Sequence, residues 1–129
     1  MTKFLLVIAS ICSLAIATID CRDLKEGTFK LESPEGSYTI IRSKNKQVEQ
    51  VDRTGLRSEF KLRWTSDCSY ILFDRKVLQG VDNIINDENA KDTLFCKIVN
   101  VSGKKHTVSC YIKGYEPLEA TLERVKEIR

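Results

Sequence analysis

Short runs of alternating apolar and polar residues, separated by turn residues, follow one another along most of the chain. The clearest run is Glu59 to Trp64, where Phe60, Leu62 and Trp64 alternate with three charged residues. Successive side chains of a strand point to opposite faces. This run therefore predicts a strand with one buried face and one solvent-exposed face.

Six further runs have strand character because they are rich in β-branched or aromatic residues and lie between turn clusters. They are Thr28 to Glu32, Tyr38 to Arg42, Gln47 to Val51, Ser69 to Phe73, Thr93 to Val101 and His106 to Lys113. The nearly continuous apolar run Ser69 to Phe73 predicts a strand covered on both faces. Lys76 to Lys91 is polar and contains Gly80, so it predicts a loop with room for one helical turn. This spacing favours an all-β fold, either an antiparallel meander or a small up-and-down barrel.

The hydrophobic pattern selects a register for the hairpin formed by Thr93 to Val101 and His106 to Lys113. A two-residue loop would place Cys96 opposite Tyr111 and mix the two faces. A three-residue loop at 102–104 matches apolar residues with apolar residues. The predicted pairs are then Leu94 with Ile112, Cys96 with Cys110, and Ile98 with Val108.

The last segment, Pro117 to Arg129, fits two structures. Its composition favours a helix beginning at Pro117, whereas Leu118, Ala120 and Leu122 alternate as they would in a strand. A meander needs a closing strand, so we predict a strand here.

The first seventeen residues have the anatomy of a secretory signal peptide. Lys3 precedes an uncharged run from Phe4 to Ala17, which ends in the small-x-small sequence of Ala15 to Ala17. An apolar run of this length is too short to span a bilayer as a permanent helix. We therefore expect a cleaved N-terminal signal helix (1–17), a single β domain (18–129) without a transmembrane span, and a secreted or periplasmic location.

Five cysteines are present, and Cys12 lies within the predicted leader. The other four, Cys21, Cys68, Cys96 and Cys110, form an even set in an exported chain, which predicts disulfides. The hairpin register favours a bridge from Cys96 to Cys110 and leaves one from Cys21 to Cys68. A lipid anchor on Cys21 is the less favoured alternative because Ile19 and Asp20, rather than small residues, precede it.

Charge and motifs exclude several classes of function. The chain carries 21 basic and 18 acidic residues, and this near balance argues against nucleic acid as a partner. His106, the only histidine, follows Lys104 and Lys105 and is expected in a solvated turn. No metal-ligand spacing, cofactor motif or nucleophile elbow accompanies it. We therefore predict no catalytic, cofactor-binding or metal-binding residue, while Phe60, Leu62 and Trp64 could line a ligand pocket.

Three segments, Cys21, Gly27 to Lys30 and Trp64 to Leu72, resemble a group of small exported Bacteroidota proteins that have no established function. The resemblance spans most of the mature chain and implies a lipocalin-like antiparallel β structure, with Ala120 to Val125 as its last strand. Cys96 is an addition to the shared pattern. DNA topoisomerase IV activity, a label sometimes given to such sequences, would need a metal-binding acidic constellation, a tyrosine nucleophile and a large scaffold, which this chain does not combine.

These observations favour a non-enzymatic binding or interaction module that acts outside the cytoplasm. Its partner would be a protein, a glycan or a small apolar ligand. A small extracytoplasmic hydrolase using His106 is one alternative, and an envelope structural or stress protein is another. A cavity of at least about 300 Å³ would favour ligand carriage, and a filled interior would favour surface recognition.

Overall fold

A computed structural model of the chain describes residues 19–34, 36–80 and 91–125. The predicted leader (1–17) lies outside the described residues, as does most of the predicted loop between Lys76 and Lys91. A short 3-10 helix, Arg22–Leu24, comes first. The strands are β1 (Gly27–Ser33), β2 (Gly36–Arg42), β3 (Lys46–Val51), β4 (Arg57–Trp64), β5 (Ser69–Gln79), β6 (Leu94–Ser102), β7 (Lys105–Ile112) and β8 (Leu118–Arg124).

The eight strands form one closed antiparallel barrel in chain order. Each strand pairs with the next, and β8 closes the barrel by pairing with β1, where Leu31 lies opposite Leu122. The predicted all-β fold is confirmed as an up-and-down, lipocalin-like barrel. The strand predicted near the C-terminus is also confirmed, because closure of the sheet gives β8 two hydrogen-bonding neighbours.

Alternation along the strands directs one set of side chains into the barrel. The buried apolar set includes Phe29, Ile40, Phe60, Leu62, Leu72, Ile98, Val108 and Leu122. Partial exposure of Ile71 and Phe73 on the other face of β5 shows that the expectation of a strand covered on both faces was wrong. Among the described residues, the strands form one sheet, and no second sheet covers its outer surface.

Strand direction distinguishes two ends of the barrel. At the helix end lie the segment Cys21–Leu24 and the turns at 43–45, 65–68 and 103–104. Cys21 and Leu24 are buried there with the core, and Cys21 forms a disulfide with Cys68. The turns that join β1 to β2, β3 to β4 and β7 to β8 lie at the opposite end, which we call the loop end.

β5 extends beyond its predicted limit. It continues to Gln79, so the part of the predicted loop that covers 76–79 is strand instead. Within it, Asp74 and Arg75 occupy the space opposite the single residue Phe60, and Asp74 has a φ of 51°. This bulge turns Arg75 inward, where its Nη2 donates a hydrogen bond to Ser58 Oγ at 2.9 Å.

The β6–β7 hairpin has the predicted register but not the predicted loop. Leu94 pairs with Ile112, Cys96 with Cys110, and Ile98 with Val108. However, Ser102 pairs with Lys105, so the loop contains only Gly103 and Lys104. A bulge at Val99 supplies the extra residue.

Candidate functional site

A cavity of about 320 Å³ occupies the barrel interior toward the loop end. Ser33 and Tyr38, which flank the β1–β2 turn, and Leu94, at the start of β6, place it there. Its walls are largely apolar and include Leu31, Ile40, Leu72, Val108, Ala120 and Leu122. Polar side chains also line it, among them the hydrogen-bonded group of Arg42, Gln47, Glu49 and Tyr70. This combination of apolar walls with a few polar groups is typical of small-molecule sites.

Arg42 is the last residue of β2 and is 2% exposed. Its Nε donates to Gln47 Oε1 at 3.1 Å, and its Nη2 donates to the hydroxyl of Tyr70 at 3.2 Å. Its Nη1 donates to the carbonyl oxygen of Leu24 at 2.7 Å and lies 3.5 Å from Nε2 of His106. The guanidinium thus joins the cavity to the segment that covers the helix end.

Glu49 lies on the same face of β3 as Gln47, which donates from Nε2 to a carboxylate oxygen of Glu49 at 3.0 Å. Burial raises the pKa of Glu49, while this hydrogen bond and the positive charges of Arg75 and Arg42 act in the opposite direction. Gln47 therefore lies between the carboxylate and the guanidinium of Arg42 and bonds to both.

The hydroxyl of Tyr70 is the second polar group beside Arg42. Burial raises the pKa of Tyr70, and the positive charge of Arg42 opposes that effect only in part. The hydroxyl is therefore protonated at neutral pH and keeps its hydrogen for donation.

His106 does not lie in a solvated turn, so that prediction was wrong. It is the second residue of β7, is 1% exposed, and its ring meets that of Phe29 edge-on at 4.9 Å. Burial lowers its pKa to about 4, and the charges of Arg42 and Arg124 lower it further in the same direction. The two-residue turn and the covered helix end bring this position into the core. Among the described residues, its Nδ1 has no hydrogen-bond partner.

Cys96 and Cys110 are free thiols in the structure, with their Sγ atoms 2.7 Å apart. Cys110 lines the cavity and Cys96 is buried beside it. The hydrogen bond from Cys110 and burial raise the pKa of Cys96. The Cys21–Cys68 bridge is present, and a bridge between Cys96 and Cys110 stays a prediction.

Of the three residues predicted to line a pocket, none lines this cavity, but Phe60 lines a neighbouring one. Leu62 is buried in the core, and Trp64 lies near the helix end with its ring 4.7 Å from that of Tyr70. Phe60 lines an adjoining hollow of about 490 Å³, which shares Glu49 and Leu94 with the cavity described above.

Sequence reasoning missed the polar residues of the site. Arg42 had a detectable signal, because it follows Tyr38 and Ile40 at two-residue spacing and so belongs to the inward face of its strand. Arg75 had none, because the bulge at Asp74 reverses the face that simple alternation would assign to it.

The described residues show neither a metal cluster nor a membrane-spanning helix. Within 19–34, 36–80 and 91–125, no three His, Cys, Asp or Glu side chains lie together as a metal site would require. No helix in this part of the chain has the length and apolarity needed to cross a membrane.

Comparisons with known proteins assign no relative. No protein-family model, curated protein or solved structure matches the chain.

Proposed function

We propose that this protein binds a small, largely apolar ligand in its barrel cavity, outside the cytoplasm and without catalysing a reaction. The observation that carries the proposal is the cavity of about 320 Å³ with apolar walls and a polar group at one side. Its volume lies within the usual range for small-molecule sites, about 300 to 1,000 Å³. Eight-stranded barrels are wide enough to hold one such ligand.

The location outside the cytoplasm has separate support. A bridge between Cys21 and Cys68 is favoured in an oxidising compartment. The leader-like first seventeen residues point to export of the chain. Both features agree with a secreted or periplasmic carrier.

Blocking the cavity from within tests the binding proposal. Ala120 lines the cavity and its neighbour Glu119 is exposed, so A120F and E119F add the same ring to opposite faces of β8. Titration with the neutral apolar fluorophore N-phenyl-1-naphthylamine should show binding to the parent protein. We expect A120F to bind it at least about tenfold more weakly, a loss of roughly 1.4 kcal/mol, because the added ring occupies the ligand's volume.

E119F is the matched control and should bind like the parent protein, since its ring points away from the cavity. Circular dichroism and thermal unfolding check that both variants fold. Equal affinities of folded A120F and E119F would mean that the probe does not bind in the barrel, and absence of probe binding to the parent protein would reject ligand carriage.

A further inference from the structure

The polar side of the cavity holds two hydrogen-bond donors that have no acceptor within the part of the chain that the structure describes. A guanidinium has five N–H groups, and Arg42 has contacts for four of them, to Gln47, Leu24, His106 and Tyr70. One N–H of its Nη2 is left over. The Tyr70 hydroxyl accepts from that same Nη2 at 3.2 Å, and its own hydrogen has no acceptor among the described residues. Both residues line the cavity.

The positive charge of Arg42 has no anion hydrogen-bonded to it among the described residues. The four groups that accept hydrogen bonds from Arg42 are all neutral. They are a backbone carbonyl, a side-chain amide, an imidazole and a hydroxyl. His106 is neutral at pH 7 because its pKa is lowered to about 4. The charges of Arg42 and Arg75 both act to lower the pKa of Glu49. A buried cation without a bonded anion is costly, and an anionic ligand would relieve that cost.

We propose that the cavity binds a small apolar carboxylate, whose head group accepts hydrogen bonds from Arg42 Nη2 and the Tyr70 hydroxyl. A carboxylate suits this position because it is an acceptor with two oxygens and can use both donors at once. Its hydrocarbon part would lie against Leu31, Ile40, Leu72 and Leu122. This inference rests on the proposed function, because it names the ligand class of the same cavity.

The volume of the cavity sets the size of a suitable probe. A cavity of about 320 Å³ equals the liquid volume of about ten water molecules, at roughly 30 Å³ each. An unbranched acid of about ten non-hydrogen atoms therefore fits, and octanoate is a suitable probe. Octan-1-ol and octylammonium have nearly the same chain with a neutral and a cationic head group.

Competition among these three compounds tests the inference without altering the protein. Each would displace N-phenyl-1-naphthylamine from the parent protein at pH 7, and the inhibition constants would be compared. We expect octanoate to bind about tenfold more tightly than octan-1-ol, as charge-assisted hydrogen bonds to a buried cation allow. Octylammonium should bind most weakly, because Arg42 repels it.

Substitution of the donors tests which residues are responsible. Arg42 also bonds to the helix end, so an Arg42→Met variant is at risk of not folding. Tyr70→Phe keeps the ring but removes both the hydroxyl donor and the acceptor of one Arg42 Nη2 hydrogen. Loss of the donor should reduce the preference for octanoate over octan-1-ol by about fivefold. Tyr111→Phe, on the exposed outer face, is the matched control and should keep the preference. Glu49→Gln removes an acid that lines the same cavity and should strengthen octanoate binding.

Outcomes of these experiments separate the two proposals. Equal binding of octanoate and octan-1-ol, tightest binding of octylammonium, or the same preference in Tyr70→Phe and Tyr111→Phe would overturn the carboxylate inference. If A120F still weakens binding of the neutral probe, the cavity remains a ligand site of another chemistry. If the neutral probe does not bind to the parent protein, the proposed function fails as well.

Discussion

At the scale of single residues, Arg42 determines how the core is organised. Removing a cation from water costs several kcal/mol unless its hydrogen bonds are replaced. Here the guanidinium has four hydrogen-bonding partners, and its central carbon lies 5.0 Å from the centres of the Phe29 and Tyr70 rings. It also contacts the Leu24 carbonyl. One side chain therefore holds the covering segment against the barrel and presents charge to the cavity.

The pH dependence of stability should reveal the burial of His106. Its pKa is about 4 when folded and about 6.5 when solvated. Between these values the unfolded chain binds a proton that the folded protein does not, so the free energy of unfolding falls as the pH falls from about 6.5 to 4. His106→Gln cannot titrate there. We expect its free energy of unfolding to lose about 1 to 3 kcal/mol less over this range than that of the parent protein, in urea titrations at several pH values.

Val108→Ala is a suitable control for this measurement. It removes buried volume from the same strand and lowers stability at every pH, but it keeps His106 and so should keep the parent slope. The raised pKa of Glu49 acts in the opposite direction and is common to all three proteins. Identical slopes for His106→Gln and the parent protein would show that this histidine is not held neutral.

At the scale of elements, bulges decide which side chains enter the barrel. In β6 the bulge at Val99 leaves Val99 and Asn100 both exposed, while Ile98 and Val101 both pack against the core. Because the bulge adds one residue to β6, the hairpin can have a two-residue turn and still pair apolar residues with apolar residues. In β5 the bulge at Asp74 turns Arg75 inward toward Glu49 in the same way.

Deleting single residues from the β6–β7 hairpin should test this account. Without Val99, Asn100 still lies opposite Thr107 and Ile98 opposite Val108, so every inward side chain keeps its face. We expect this deletion to lower the free energy of unfolding by only about 1 kcal/mol. Deleting Ser109 from β7 leaves that strand one residue short of its partners, reverses faces on one side of the deletion and should cost several times more. Chemical denaturation measures both, and an equal loss in the two deletions would contradict the proposed role of the bulge.

At the scale of the whole molecule, the disulfide and the β1–β8 seam hold the barrel closed. The seam contains three paired positions on each strand, fewer than the other neighbouring strands have. Cys21 and Cys68, 47 residues apart in sequence, connect the segment before β1 to the β4–β5 turn at the helix end. The bridge therefore links the segment that leads into β1 to the turn between β4 and β5, in the middle of the sheet.

Reduction should reveal the contribution of this bridge. Closing a loop of this length stabilises the folded state by about 4 kcal/mol in the chain-entropy description. We expect dithiothreitol to lower the melting temperature of the parent protein by about 10 °C or more. The double variant C96A/C110A should respond equally, and C21A/C68A should not respond.

Two results would change this interpretation. An unaltered melting temperature of the parent protein in dithiothreitol would contradict a stabilising Cys21–Cys68 bridge. A drop in C21A/C68A would reveal that Cys96 and Cys110 form the second predicted bridge, which would also place a disulfide at the cavity wall.

The local sequence pattern was sufficient to predict much of the fold but little of the candidate site. Strands such as Glu59 to Trp64 were predictable because alternation reports which face is buried. The pairing of Cys96 with Cys110 was predictable because a one-residue slip would expose apolar side chains. The positions of Glu49 and Tyr70 in the cavity could not be predicted in this way. A polar residue on a strand has the same sequence pattern whether it faces water or an interior cavity.

The sequence by itself determined the all-β class, most strand positions and the hairpin register, since these depend on neighbouring residues and on the two-residue period of a strand. Only the tertiary structure decided that β8 closes on β1, that His106 is buried, and that Arg42, Gln47, Glu49 and Tyr70 share one cavity. These features depend on contacts between residues distant in the chain and on bulges that change a side chain's face. The local periodicity of the sequence predicts neither these distant contacts nor the positions of the bulges.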